Sequence, residues 1–242
     1  MMLVHFIESM IGRKGFSFLI GIFYLLSVSS LAFGDDVGKL LGLRDKDQLN
    51  KIISEAEKVF AKDPKDKNNL LTLGMALHSL ADMKVKGAPQ KCVDFLKHAN
   101  KEYPENGLII AVMGSCLTMV GRDAPSIPDK MRYVNEGTPM IDKGVSMAPD
   151  DIYIRMVRAG DSAGLPKMFG RMKYVKEDFL HIEGIIKKTP KNVPLELQAE
   201  VYYKLGMVFK SEKDEASAKS YFKKAVEVVP DSEWGKKAKS EL

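Results

Sequence analysis

The chain has 242 residues, of which 45% are hydrophobic and 29% charged, and its formal net charge is +5. The charges are well mixed and no basic run is interleaved with aromatic residues, which argues against a nucleic-acid surface. Four scattered histidines and two cysteines give no metal-ligand spacing, and no phosphate loop or nucleophile elbow is present, so no catalytic residue, metal or cofactor is expected.

In chain order, residues 1–34 read as an export signal. Arg13 and Lys14 precede an apolar run over 16–28, and the small residues that follow, with Ala32-x-Gly34, suit a signal peptidase that leaves Asp35 first in the mature chain. The segment before Arg13 is long for a leader, which places the expected start of translation at Met10. Left uncleaved, residues 15–34 reach the roughly 20 residues needed to span a bilayer, and this is the sole membrane attachment expected. The expected address is therefore exported, periplasmic or secreted. Residues 35–44 are expected to be a flexible lead-in. Cys92 and Cys116 both lie in the exported part, where they either pair or remain two small buried thiols.

From residue 45 onward the hydrophobic period is helical. Over 45–62, Leu49, Ile52, Ile53, Ala56, Val59 and Phe60 form one stripe, which ends at Asp63-Pro64. A pattern then recurs. Leu70-x2-Leu73-Gly74-x2-Leu77 is followed by a linker over 81–90 and by Cys92-x3-Leu96-x2-Ala99-x4-Pro104. Ile110-x2-Met113-Gly114-x2-Leu117 is followed by a loop over 121–128 and a helix over 131–147, in which Pro139 should kink or interrupt the backbone. The next unit is irregular. Asp150 and Asp151 cap a helix carrying Arg155 and Arg158, residues 160–165 break it, and Pro166 opens a helix through Lys188. The terminating prolines 64, 104, 149, 190 and 230 recur at intervals of 40, 45, 41 and 40 residues.

The clearest unit is the last, residues 199–230. Tyr202-x2-Leu205-Gly206-x2-Phe209 makes one apolar face, and Ala218-x3-Phe222-x2-Ala225-x4-Pro230 makes another. A mid-helix glycine costs roughly 1 kcal/mol against alanine, so Gly206 implies a close helix crossing, expected at Ala218. Residues 232–242, with Trp234, should form a capping helix.

These residues resemble the tetratricopeptide-repeat family: the Leu-Gly pair, both alanines, the second-helix Phe and the Pro are present, while Tyr202 and Phe209 replace the family's Trp and Tyr. The units here are longer than the family's roughly 34 residues because the loops within them are extended. The resemblance implies an all-α right-handed solenoid over 45–242, with about four helix pairs between an N-terminal and a C-terminal cap helix, strongest in 199–230. It also implies a concave face lined by the first helix of each pair. Helix phase then nominates Asn68, Leu71, Met75, His78, Thr118, Met119, Tyr203, Met207 and Lys210 as partner-binding residues. The recurring methionines suit an adaptable groove, although Met at helical spacing is more often core. Arg155 and Arg158 share a helix face and could clamp an anionic segment; the plainer reading is an internal ion-pair network with Asp151, Asp161, Glu177 or Asp178. Two functions follow: a scaffold binding a peptide segment or partner protein of the cell envelope, or a small-ligand or transporter-accessory protein with a pocket near residues 150–190.

Overall fold

The computed structural model describes residues 37–242, so the leader expected over 1–34 and the start at Met10 lie outside the described residues. Among the described residues ten α-helices follow one another: α1 (Lys46–Phe60), α2 (Lys67–Asp82), α3 (Ala88–Glu102), α4 (Gly107–Asp123), α5 (Ile127–Met147), α6 (Ile152–Gly164), α7 (Met172–Lys188), α8 (Leu195–Ser211), α9 (Glu215–Val228) and α10 (Glu233–Lys239). Among the described residues there is no β-strand. The pairs α2/α3, α4/α5, α6/α7 and α8/α9 pack internally and against their neighbours, with α1 and α10 covering the two ends. This is an all-α solenoid.

The terminating prolines work together with a cap two residues later. Pro64 precedes Asp66, Pro104 precedes Asn106, Pro149 precedes Asp151 and Pro230 precedes Ser232. Each of those four side chains accepts a hydrogen bond from a backbone N–H in the first turn of the next helix. Proline stops one helix by removing a donor, and the short polar residue starts the next by satisfying one. Pro190 departs from this scheme: a single 3-10 turn, Pro190–Asn192, leads to Pro194, which caps α8 without a side-chain bond.

Several boundaries differ from those the sequence suggests. α2 runs to Asp82 and α3 begins at Ala88, so the linker expected over 81–90 is a short turn, closed by Gly87 at φ +77°. α4 continues through Gly121 to Asp123, which shortens the expected loop over 121–128 to three residues; a Cβ at Gly121 would lie 3.0 Å from that of Tyr133, so this glycine serves helix packing. Pro139 sits inside an uninterrupted α5. Both Pro139 and Asn135, whose carbonyl the missing N–H would have served, lie outside the buried core, so water can replace the lost bond. α6 continues through Gly160 to Gly164. Pro166 opens only a 3-10 turn, Lys167–Phe169, and Gly170 in the left-handed region reverses the chain before α7. Within the lead-in, a 3-10 turn, Val37–Gly42, lies along α2, where the Leu40 carbonyl accepts from Ser79 Oγ and Arg44 pairs with Asp82.

The core has two main parts that meet within α6. Leu70, Met75, Leu96, Ile109, Ile141 and Ile154 belong to the first, and Phe179, Ile182, Leu205 and Phe222 to the second. Val59, placed on the α1 stripe by periodicity, is 39% exposed. Gly206 does admit a close neighbour, but it is the ring of Phe222 rather than Ala218. Gly74 plays the same part for Leu96. Between α4 and α5 the approach is closer: glycines 107, 114, 137 and 144 let the two backbones touch, with Gly114 against the Gly137 carbonyl and Gly144 against that of Gly107. Cys92 on α3 and Cys116 on α4 form a disulfide with Cα atoms 6.1 Å apart and a sequence separation of 24. A loop of that size is worth about 3 kcal/mol through the unfolded chain.

Candidate functional site

The first helices α2, α4, α6 and α8 turn one stripe each toward a common cavity of about 920 Å³. The contributions follow helical phase. α2 supplies His78 and Asp82, and α4 supplies Ser115, Thr118, Met119 and Arg122. α6 supplies Tyr153, Val157, Gly160, Asp161 and Gly164, while α8 supplies Glu200, Lys204, Met207 and Val208. Leu41 and Arg44 at one end of the solenoid and Trp234 at the other line the same space. The cavity has a structural cause. α2 packs on α4 and α4 on α6, but α6 and α8 do not stack along their lengths. The joint between these pairs is made instead by α7 on α8, which leaves room between α6 and α8. Gly160 and Gly164 widen it, since a Cβ at either would meet nothing within 4 Å.

A polar chain crosses the wall formed by α2, α4 and α6. His78 Nε2 lies 3.0 Å from Ser115 Oγ. Thr118 Oγ1 lies within hydrogen-bond reach of both the Ser115 carbonyl and Asp161 Oδ1. His78 Nδ1 and Asp161 Oδ2 are shut from solvent and have no hydrogen-bond partner among the described residues. Burial pushes the Asp161 carboxyl up to about 6, with Arg171 opposing this and Asp142 adding to it. Burial likewise pulls His78 down to about 4, against the pull of Asp82, so its imidazole is neutral near pH 7. The His78–Ser115 contact does not make a catalytic pair. Ser115 is buried mid-helix, the carboxylate stands on the serine side rather than behind the imidazole, and a histidine held near 4 is a weak base at neutral pH.

These two shifts have opposite consequences for stability. Asp161 is raised above its unfolded value, so its contribution is present below about pH 4 and is lost as pH rises through about 6. His78 is depressed, so its contribution is present above about pH 6.5 and is lost as pH falls toward 4. The two partly cancel in mildly acid solution. Asp161→Asn should therefore raise stability at pH 7.5 by about 2 kcal/mol and lose that gain by pH 4, leaving a steeper acid decline than the parent shows. Urea unfolding at pH 7.5, 5.5 and 4 checks this.

Of the residues nominated from sequence, His78, Thr118, Met119 and Met207 line the cavity. The other seven lie elsewhere. Met75 is fully buried in the core and Leu71 packs against it. Asn68 is exposed in the first turn of α2. Tyr203 packs between Phe222 and Trp234, and Lys210 pairs with Glu241. Arg155 and Arg158 converge on Asp178, which is fully buried: Arg155 Nη1, Arg158 Nε and Arg158 Nη2 each lie 2.7 Å from its oxygens, and Arg158 also reaches Glu177 at 2.7 Å. Asp151 is spent on capping α6 and Asp161 on Thr118. The arginines thus bind α6 to α7 and present no open anion clamp. Sequence reasoning misses Asp161, Glu200, Lys204 and Trp234 as cavity residues. For Asp161 the available signal is its phase, three residues beyond Arg158 and beside two glycines; for the others it is closure of the two ends on one space, which no local pattern carries.

A tetratricopeptide-repeat family model matches residues 199–232. Among solved structures, the chain is similar to TTC0263, a TPR protein of Thermus thermophilus, at 14% identity over 78% of this chain and 88% of that one, with a TM-score of 0.58. It also aligns with MamA, at 16% identity over 81% and 94% of the two chains and a TM-score of 0.47. With YrrB, a TPR protein with an unusual peptide-binding site, it shares 15% identity over 80% and 84% and a TM-score of 0.44. The first likeness is one of fold, and the weaker two add nothing to it. No curated protein matches the sequence.

Proposed function

We propose that this chain, whose residues 199–232 match a tetratricopeptide repeat and whose fold is that of a helical-repeat solenoid, is an exported scaffold that holds a peptide segment of a partner protein of the cell envelope in the cavity on its concave face. The observation that carries this reading is the cavity itself. It draws on all four first helices and is large enough for an extended side-chain-bearing ligand, since pockets for specific ligands run from about 300 to 1,000 Å³. Its lining combines flexible apolar groups (Met119, Met156, Met172, Met207) with a few fixed polar ones, which is the composition of an adaptable recognition surface. Export is supported by the leader pattern over 1–34 and by the Cys92–Cys116 bond, which suits an oxidising compartment. No catalytic step is assigned.

Gly160→Phe tests the reading without disturbing the packing, because the new side chain enters open space beside the cavity. Recovery of the partner from an envelope fraction should fall at least about tenfold while circular dichroism and the melting temperature hold. Undiminished recovery by this folded variant would rule out the cavity as the binding place. N-terminal sequencing of the exported protein should begin at Asp35.

A further inference from the structure

The wall polar groups and the facing wall of α8 specify what the cavity receives. We infer that the cavity recognises a cationic amino group carried on an apolar body, with Asp161 and Glu200 as its two acceptors. This rests on the reading of the cavity as the peptide site and names the chemistry selected there.

The lone pairs come first. Asp161 Oδ2 and His78 Nδ1 are both without a partner among the described residues. His78 meets Ser115 Oγ through Nε2 at 3.0 Å, so its Nδ1 is the ring nitrogen left without a partner. Thr118 has a single proton for two neighbours, the Ser115 carbonyl and Asp161 Oδ1. The Asp161 carboxyl therefore lacks a donor at Oδ2. Across the cavity Glu200 forms no side-chain hydrogen bond or ion pair with the described residues, and burial raises its pKa.

The basic groups around the cavity are already engaged. Arg44 pairs with Asp82, Arg122 with Asp123 and the Ala81 carbonyl, and Lys204 sits 4.9 Å above the Trp234 ring. An anion would meet two carboxyl groups that no cation of the described residues hydrogen-bonds or ion-pairs, whereas an ammonium supplies three donors and a positive charge. Access is open on the α6 side. Gly160 precedes Asp161 and Gly164 lies one turn beyond it, and a Cβ at either glycine would meet nothing within 4 Å. Phe179, Leu197 and Met207 accept the apolar body. The amino group could belong to a lysine side chain of a peptide or to a free amine, and the test separates the two.

The first arm compares hexylamine, 1-hexanol and hexanoate at equal concentration on the full mature chain, read by thermal shift and by titration. Hexylamine should bind at least tenfold more tightly than hexanol, hexanoate should not bind, and Asp161→Asn should abolish the advantage of the amine while remaining folded. Glu200→Gln should weaken it several-fold. Equal binding of the three probes, or an amine advantage that survives both substitutions, overturns the inference. The second arm selects peptides from a random display library on the parent and on Asp161→Asn. Selected peptides rich in lysine only on the parent support a peptide source. Peptides selected without lysine preference leave the cavity a peptide site and overturn the ammonium. No selected peptide, with hexylamine selectivity intact, upholds the ammonium with a free amine as its source and overturns the peptide reading.

Discussion

Gly114→Ala is expected to destabilise the protein by about 3 kcal/mol, read as a lower urea midpoint at unchanged slope. A Cβ there would lie 2.5 Å from the Gly137 carbonyl oxygen, 2.9 Å from Met140 Cβ and 3.0 Å from Ile141 Cγ1. None of these is the free end of a flexible side chain. α5 would have to move as a body, and the four glycines along the joint would lose their contact together. The helix itself gains roughly 1 kcal/mol from the exchange, so the net loss understates the clash. Gly184 provides the control: it lies inside α7 with nothing near its Cβ position, and Gly184→Ala should stabilise by up to about 1 kcal/mol. The same chemical change thus has opposite signs at two helix interiors. Against a typical total of about 5–15 kcal/mol the loss at Gly114 is a large fraction, and in a solenoid a failed joint also exposes the units on either side.

Asp178→Ala should cost about 3–5 kcal/mol, because it strands two guanidinium groups that are each only 6% exposed. Glu177 remains for Arg158 but is itself mostly exposed, and Asp142 stands 3.8 Å away while engaged with Arg171. Arg155 keeps only the Pro149 carbonyl. The cost is one of breaking the network rather than of lacking it. A triple variant, Arg155→Met, Arg158→Met and Asp178→Leu, should return to within about 1–2 kcal/mol of the parent, since apolar replacements remove the desolvation penalty along with the attraction. Chemical denaturation of the two variants side by side decides this. If Asp178→Ala melts like the parent, the buried pairs are not what joins α6 to α7.

Much of this architecture is written in short local signals. Each of Pro64, Pro104, Pro149 and Pro230 marks a helix end and is followed two residues later by the cap of the next helix, so the repeat length is legible from residue spacing alone. Gly74 and Gly206 announce close approaches by their cost in a helix, although the residue that fills the gap lies on the partner helix, and at Gly206 it is Phe222 rather than the small Ala218 that the crossing suggests. Loops come out too long in the sequence because Gly121 and Gly160 look like breakers there, while tertiary packing, or simply a free helix face, keeps them helical. The site is less legible. Met75 and Met207 each follow the glycine of the repeat pattern, yet Met75 is fully buried and Met207 is 38% exposed on the cavity. The difference lies in what comes next: α4 covers α2, whereas among the described residues no further first helix follows α8. Position within a repeat fixes helix phase, and position within the stack decides whether that phase is core or surface.

The most direct test of the cavity as the binding place is site-specific photo-crosslinking in the protein's own cells. A photoreactive side chain at Met207, inside the cavity, is compared with one at Ile127, which is 75% exposed and outside it. The account predicts a single defined adduct at position 207, mapped by mass spectrometry to one segment or amine, and none at 127. An adduct at 127 with no product at 207 would contradict it and move recognition to the outer face of the solenoid.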